Sequence, residues 1–366
     1  MTPLAQKIVN LIQQAGPLRV SDYFALCLAD PDHGYYQTRD PFGQAGDFVT
    51  APEISQLFGE MIGIFLVQAW QAQGSPANTR IVEIGPGRGT LMSDALRVIA
   101  RLAPDLYSDA TIHMVETSER LRGVQRQTLV RIKQRISWHD AFEEIPAGFT
   151  LMVANELFDA IPIQQFIKTS QGFRERMVGL DEAGTLTFGL GPGTLDTSVL
   201  PIEEARVPDG EVFEISPART AVMQAVAAKI VRDGGTALTI DYGHLVTGFG
   251  DTLQAVYQHE FDPPLLRPGE ADLTSHVDFQ VLAEAARAAG AHIHRPLTQG
   301  DFLVGLGILE RAGALGTGRD SLTQATISDA VNRLAGEGQG RMGALFKVLA
   351  ISGKPAKIAP FDNLPA

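Results

Sequence analysis

The chain has 366 residues, 45% of them hydrophobic and 20% charged, and a formal net charge of −12 at pH 7. That length supports one large domain or two with a substantial core, and the acidic balance argues against a phosphate-backbone partner while suiting a basic peptide. A single cysteine, Cys27, excludes an internal disulfide and a cysteine-cluster metal site. The eight histidines show no zinc-protease spacing, so no metal is expected, and the longest apolar run, Ile62 to Val67, is far too short to span a membrane.

In chain order, Met1 to Ala15 has helical periodicity but no long apolar core, cleavage site or arginine-rich character. It reads as no secretory signal and lacks the character of a transit peptide, and a bacterial cytoplasmic location is the expectation. Helical patterns over Leu4–Gln14 and Pro52–Gln73 flank a Gly-, Asp- and Pro-rich loop from Asp30 to Ala51. A loop this long is usually functional or mobile. Gly43 to Glu53 reads as a lid in which Asp47 and Glu53 have no core role. The competing reading is a surface loop, with Pro52 and Glu53 opening a helix.

The segment Arg80-Ile-Val-Glu-Ile-Gly-Pro-Gly-Arg-Gly-Thr-Leu91 is the most informative. Ile81, Val82 and Ile84 read as a buried parallel strand. Gly85, Gly87 and Gly89 make a tight turn into a helix near Thr90, with no side chains between backbone and ligand. A dinucleotide turn reads G-x-G-x-x-G. Here the spacing is G-x-G-x-G, and Glu83 stands two residues before it. A carboxylate there suits an ammonium and repels a pyrophosphate. S-adenosylmethionine has the ammonium and no phosphate, so it is the expected cofactor.

A nucleoside ligand calls for a second acid, at the end of the next strand, for the ribose hydroxyls. Thr111 to Val115 reads as that strand and Glu116 follows it, although Glu116 also suits the start of a helix near Ser118. A shorter strand over Ile136–Asp140 would bring Asp140 and Ala141 beside the adenine, or Asp140 and Ala141 are an ordinary helix start. Thr150 to Ala154 is a continuous apolar run that fits a central strand. It ends in Asn155-Glu-Leu-Phe-Asp-Ala-Ile-Pro162. Asn155, Glu156 and Asp159 then face the reacting group, and two carboxylates suit a cationic acceptor such as a guanidinium. Alternatively Asn155 and Glu156 cap a helix and Asp159 is solvated.

Further along, Phe173–Leu190 reads as a hairpin, Glu211–Ser216 as a strand and Ala218–Arg232 as a helix. Gly235–Asp241 reads as a fifth core strand and Val246–Ser275 as an insertion. Val277–Ala289, Asp301–Arg311 and Ser321–Leu334 are helical patterns, with a strand over Ala291–Arg295. His292 and His294 share a face there, which is weak evidence for a site. Met342–Ile351 is the final strand. The alternation implies an α/β fold, a mostly parallel sheet covered on both faces. The expected division is a helical N-terminal region with a lid loop, residues 1–75, and a cofactor-binding core, residues 76–366. The core carries insertions at about 170–215, 246–276 and 298–340.

Four segments carry a resemblance. They are Gly34-Tyr-Tyr with Asp40 to Gly59, Val82 to Thr90, Asn155 to Pro162, and Asp272-Leu-Thr-Ser-His-Val-Asp-Phe279. The chain resembles the MidA-like methyltransferases, a family that includes a mitochondrial complex I assembly factor. The resemblance implies a class I, Rossmann-like methyltransferase fold. It implies a protein arginine methyltransferase that uses S-adenosylmethionine to make symmetric dimethylarginine on a subunit of respiratory complex I. Spacing and composition alone reach only a methyltransferase with a cationic acceptor. Three other readings stay open: a non-catalytic, cofactor-binding assembly chaperone, a small-molecule methyltransferase, and a nicotinamide oxidoreductase, which the glycine spacing and Glu83 disfavour.

Overall fold

The computed structural model describes residues 1–38 and 50–362. Asp47 and most of the expected lid segment lie outside the described residues. The chain forms two compact units. One comprises Met1–Phe48, Phe158–Ala221 and Val246–Asp278; the other comprises Val49–Leu157, Val222–Leu245 and Phe279–Ala366.

The second unit is built on one large sheet. Its strands run in the order His292–Ile293, Phe346–Ser352, Gly235–His244, Thr150–Asn155, Arg80–Ile84, Thr111–Val115 and Ile136–His139. The five strands from Gly235–His244 to Ile136–His139 are parallel to one another. Ile81, Val82, Leu151, Met152, Val153 and Leu238 are almost wholly buried, as expected of parallel strands covered on both faces. Phe346–Ser352 is antiparallel to both of its neighbours, so the sheet is mixed. A strand buried on both faces shows the same continuous apolar run in either direction, and hydropathy therefore did not reveal its sense.

Two expected helices are interrupted. The Pro52–Gln73 pattern splits into Ala51–Ile54 and Gln56–Ala72, because Ser55 is extended (φ −163°) and its hydroxyl caps the Leu57 N–H at 3.2 Å. The Asp301–Arg311 pattern splits into Gln299–Gly305 and Ile308–Gly316 at Gly307, which is left-handed at φ 88°. The amphipathic Val277–Ala289 segment gives two strand residues and then the helix Phe279–Ala288.

The first unit has two antiparallel sheets. In one, the hairpin Gly172–Leu180 and Leu186–Thr194 pairs with Leu18–Arg19 and Gln164–Thr169, and Val212–Ile215 adds to Gln164–Thr169. The other lies inside the expected Val246–Ser275 insertion, where Gln254–Tyr257 is flanked by Glu260–Asp262 and Asp272–Thr274. The helices Pro3–Ala15 and Val20–Ala29 bury Leu4, Ile8, Tyr23, Phe24 and Cys27 in this unit's core. Burial pushes the Cys27 thiol up to about 12, so it is a filler and not a nucleophile.

Candidate functional site

The chain runs from Arg80–Ile84 outward to Thr111–Val115 and Ile136–His139, then returns to Thr150–Asn155 on the other side of Arg80–Ile84. The carboxyl ends of Arg80–Ile84 and Thr150–Asn155 thus flank a topological switch point, where open α/β sheets bind ligands. Gly85, Gly87 and Gly89 all have positive φ, at 67°, 51° and 80°. A Cβ at Gly85 would also stand 3.1 Å from Leu157 Cδ1. The helix Thr90–Leu102 begins at Gly89 without a side-chain cap. Glu83 is 3% exposed, and one of its carboxylate oxygens, Oε2, is buried with no partner among the described residues. Burial raises its carboxyl to about 8, against the opposing effect of a hydrogen bond from the Met92 backbone.

Glu116 follows the Thr111–Val115 strand. Its Oε1 accepts the Ser118 N–H at 2.8 Å, and its Oε2 accepts from Gln125 Nε2 at 3.2 Å. Burial raises its carboxyl from the ordinary value, and these donors oppose that shift. Ser118 caps the helix Glu119–Thr128, so Glu116 serves the helix start as well as facing this strand end. Gln125 went unnoticed in the sequence. It is fully buried, donates to the Gly87 carbonyl at 2.8 Å, and accepts from the Trp138 indole at 2.8 Å. Asp140 is exposed at the end of Ile136–His139 and pairs with Arg122 at 2.6 Å. Arg122 Nε in turn donates to the Glu116 carbonyl. Ala141 opens the short 3-10 turn Phe142–Glu144.

At the end of Thr150–Asn155, Asn155 Nδ2 donates to Glu156 Oε1 at 3.1 Å, and Asn155 Oδ1 is buried without a partner among the described residues. Glu156 is left-handed at φ 51°, a conformation that costs a side-chain-bearing residue about 1–2 kcal/mol. Its backbone N–H is held by the Ile240 carbonyl at 2.9 Å, and its Oε1 also accepts the Ala51 N–H at 3.3 Å. Glu53, in the short helix Ala51–Ile54, accepts from the Thr90 hydroxyl at 2.5 Å, directly after Gly89.

Asp159 belongs to the first unit. Its Oδ2 accepts from the Thr274 hydroxyl at 3.0 Å, and its carbonyl accepts from Arg219 Nη2 at 3.2 Å and the Ser275 N–H at 3.3 Å. Arg219 is 5% exposed and also donates to the His276 carbonyl and to Ser275 Oγ. It therefore ties the Asp159 backbone to the Asp272–Phe279 segment. Thr274 lies in the Asp272–Phe279 segment that carries part of the resemblance, whereas Arg219 carried no local signal, because it meets Asp159 only through the fold.

The turn fits the expected cofactor. Three glycines with positive φ leave backbone exposed at a helix start, and two unpartnered buried acceptors, Glu83 Oε2 and Asn155 Oδ1, end the two strands at the switch point. A family model described as "Putative S-adenosyl-L-methionine-dependent methyltransferase" matches residues 61–297. The chain belongs to this methyltransferase family. It is 36% identical to the rat (Rattus norvegicus) protein arginine methyltransferase NDUFAF7, mitochondrial, over 84% of this chain and 75% of that protein. It is 37% identical to the Drosophila melanogaster homolog of the same name over 82% and 74%. A solved Burkholderia thailandensis structure bound to S-adenosyl-homocysteine superposes with a TM-score of 0.83 at 30% identity, covering 97% of this chain and 93% of that one. The methyltransferase thus uses S-adenosylmethionine as its cofactor on an α/β methyltransferase fold. Among the described residues, no helix is long and apolar enough to cross a membrane.

Proposed function

We propose that this methyltransferase is a protein arginine N-methyltransferase. It makes symmetric dimethylarginine on a subunit of respiratory complex I and so supports assembly of that complex. The observation that carries this reading is the similarity, over more than four-fifths of the chain, to relatives named protein arginine methyltransferases. The left-handed Glu156 at the switch point supports it, because strain of this kind is characteristic of functional positions.

In this reading Glu83, Gly85, Gly87, Gly89, Glu116, Asp140, Ala141 and Asn155 hold the cofactor. When bound, it supplies a methyl group on a sulfonium that is already activated for transfer. The residues of the chain then mainly orient the acceptor, a contribution worth roughly 7–11 kcal/mol of barrier. A guanidinium nitrogen is a poor nucleophile because its lone pair is delocalised. Glu156 and Asp159 are each proposed as an acceptor-side carboxylate, able to form charge-assisted hydrogen bonds with a guanidinium and draw its positive charge away from the attacking nitrogen. The carboxylate also receives the proton that nitrogen loses. Asp47, which lies outside the described residues, is kept as a further candidate for the acceptor on its sequence context alone. Glu53 accepts from the Thr90 hydroxyl, which favours a supporting role at the glycine turn over a contact with the acceptor.

The test is transfer of a radiolabelled methyl group to purified complex I subunits, with mass spectrometry of those subunits from cells with and without this protein. Dimethylarginine that persists in its absence, with no transfer in vitro, overturns the reading.

A further inference from the structure

We infer that Gln125 is a positioning residue of the cofactor site: its buried amide fixes the Glu116 carboxylate against the glycine turn and so sets how strongly the site selects a ligand with ribose hydroxyls. The inference rests on the reading of Glu116 as the ribose acid.

The orientation of the amide follows from its partners. An indole N–H only donates, so the atom 2.8 Å from Trp138 Nε1 is the amide oxygen. The NH₂ group therefore faces the other way, toward the Gly87 carbonyl at 2.8 Å and Glu116 Oε2 at 3.2 Å. One side chain thus joins three separate parts of the sheet edge: the glycine turn, the acid after Thr111–Val115, and the strand Ile136–His139. It also lies against Gly89, where an added Cβ would meet Gln125 Cγ at 3.5 Å.

A buried amide costs free energy unless it is hydrogen-bonded, and a leucine or methionine would fill the same space without that requirement. The specific consequence of the amide concerns Glu116. With Ser118 N–H on one oxygen and Gln125 on the other, the carboxylate has a fixed plane, and the two donors favour its accepting form against the burial that raises it. An acid without the second donor rotates about its last bond and takes up a proton more readily. It then presents a poorer acceptor to a diol.

The experiment uses the full chain and isothermal titration with S-adenosyl-homocysteine and with its 2′-deoxyribose analogue. The readout is the ratio of the two affinities, alongside thermal unfolding. Glu116→Ala establishes the contribution of the ribose acid, and its ratio should fall by about tenfold or more, as expected for a lost charged hydrogen bond. Gln125→Met keeps the shape and removes the hydrogen bonds, and its ratio should fall toward that of Glu116→Ala. Trp138→Phe removes the donor that orients the amide, together with one ring of the indole, and should lower the ratio by a smaller factor even if Gln125→Met does not fold. A merely structural Gln125 weakens both ligands equally and leaves the ratio at the parent value, which overturns the inference. If Glu116→Ala itself keeps the parent ratio, the ribose reading fails and the inference falls with it. If Glu116→Ala lowers the ratio and neither Gln125→Met nor Trp138→Phe does, only the role of Gln125 fails.

Discussion

Replacing Glu83 by glutamine should stabilise the ligand-free protein at neutral pH. The folded carboxyl, buried at the end of Arg80–Ile84, holds its proton up to about 8, whereas the unfolded one releases it near 4.5. Between those values the folded state binds more protons than the unfolded state, so stability falls as pH rises. At pH 7 about 2.5 pH units of that window have been crossed, at about 1.4 kcal/mol per unit, which sets a ceiling of about 3 kcal/mol. Glutamine carries no such proton and keeps an oxygen for the Met92 N–H. Its unpartnered NH₂ is a cost that the protonated acid shares through its own O–H. The variant should therefore exceed the parent by about 2–3 kcal/mol at pH 7, and by less than about 1 kcal/mol at pH 5. The assay is urea unfolding of both proteins from pH 5 to 8.5, read as the difference between them, in which the other titrating groups cancel. A difference that does not change with pH, or a variant that becomes less stable than the parent as pH rises, would refute the reasoning. With S-adenosyl-homocysteine present the order should reverse, because an ammonium beside Glu83 ionises it. That binding should release a proton, detectable as an enthalpy that depends on the buffer.

Three further outcomes are expected. Gly87→Val places a branched side chain at φ 51° in the turn, and titration with S-adenosyl-homocysteine should show binding reduced by about tenfold or more, in a protein that still folds. Unchanged affinity would place the site elsewhere. Glu156→Gln and Asp159→Asn should each keep cofactor affinity within about threefold and lose most methyl transfer, by about 10²-fold or more; equal losses in binding and transfer would move them out of the acceptor role. Glu53→Gln weakens the contact with the Thr90 hydroxyl and should raise the KM for S-adenosylmethionine more than it lowers kcat, measured by steady-state transfer. A fall confined to kcat would return Glu53 to the acceptor.

Much of this site was legible because its signals are local. Spaced glycines after an apolar run report a turn whatever the rest of the chain does, and strand ends at Val115 and Asn155 follow from where the apolar runs stop. What escaped depends on distance along the chain or on features that hydropathy does not encode. Gln125 sits in a largely polar helix, Glu119–Thr128, and looks like a surface residue until the strand bearing Trp138 covers it. Arg219 reaches the Asp159 carbonyl across 60 residues, beyond any periodic pattern. Ser55 broke a helix that its neighbours favour, because its hydroxyl offered a cap in place of a continued turn. The Phe346–Ser352 strand was found, but its direction was not, since only the partners' register fixes it.

The position of that last strand has a consequence for how the molecule is made. Phe346–Ser352 lies between Gly235–His244 and His292–Ile293, so a strand synthesised after both of its neighbours forms the interior of the sheet and not its rim. Until that strand has emerged from the ribosome, Gly235–His244 lacks its antiparallel partner, and an open strand edge is a template for pairing with other chains. The glycine turn and its acids are complete by residue 156, well before that. The nascent chain therefore carries the glycine turn on a sheet that still lacks an interior strand. A chain that stops between His294 and Phe346 would keep the glycine turn and leave the Gly235–His244 edge open to pairing with other chains.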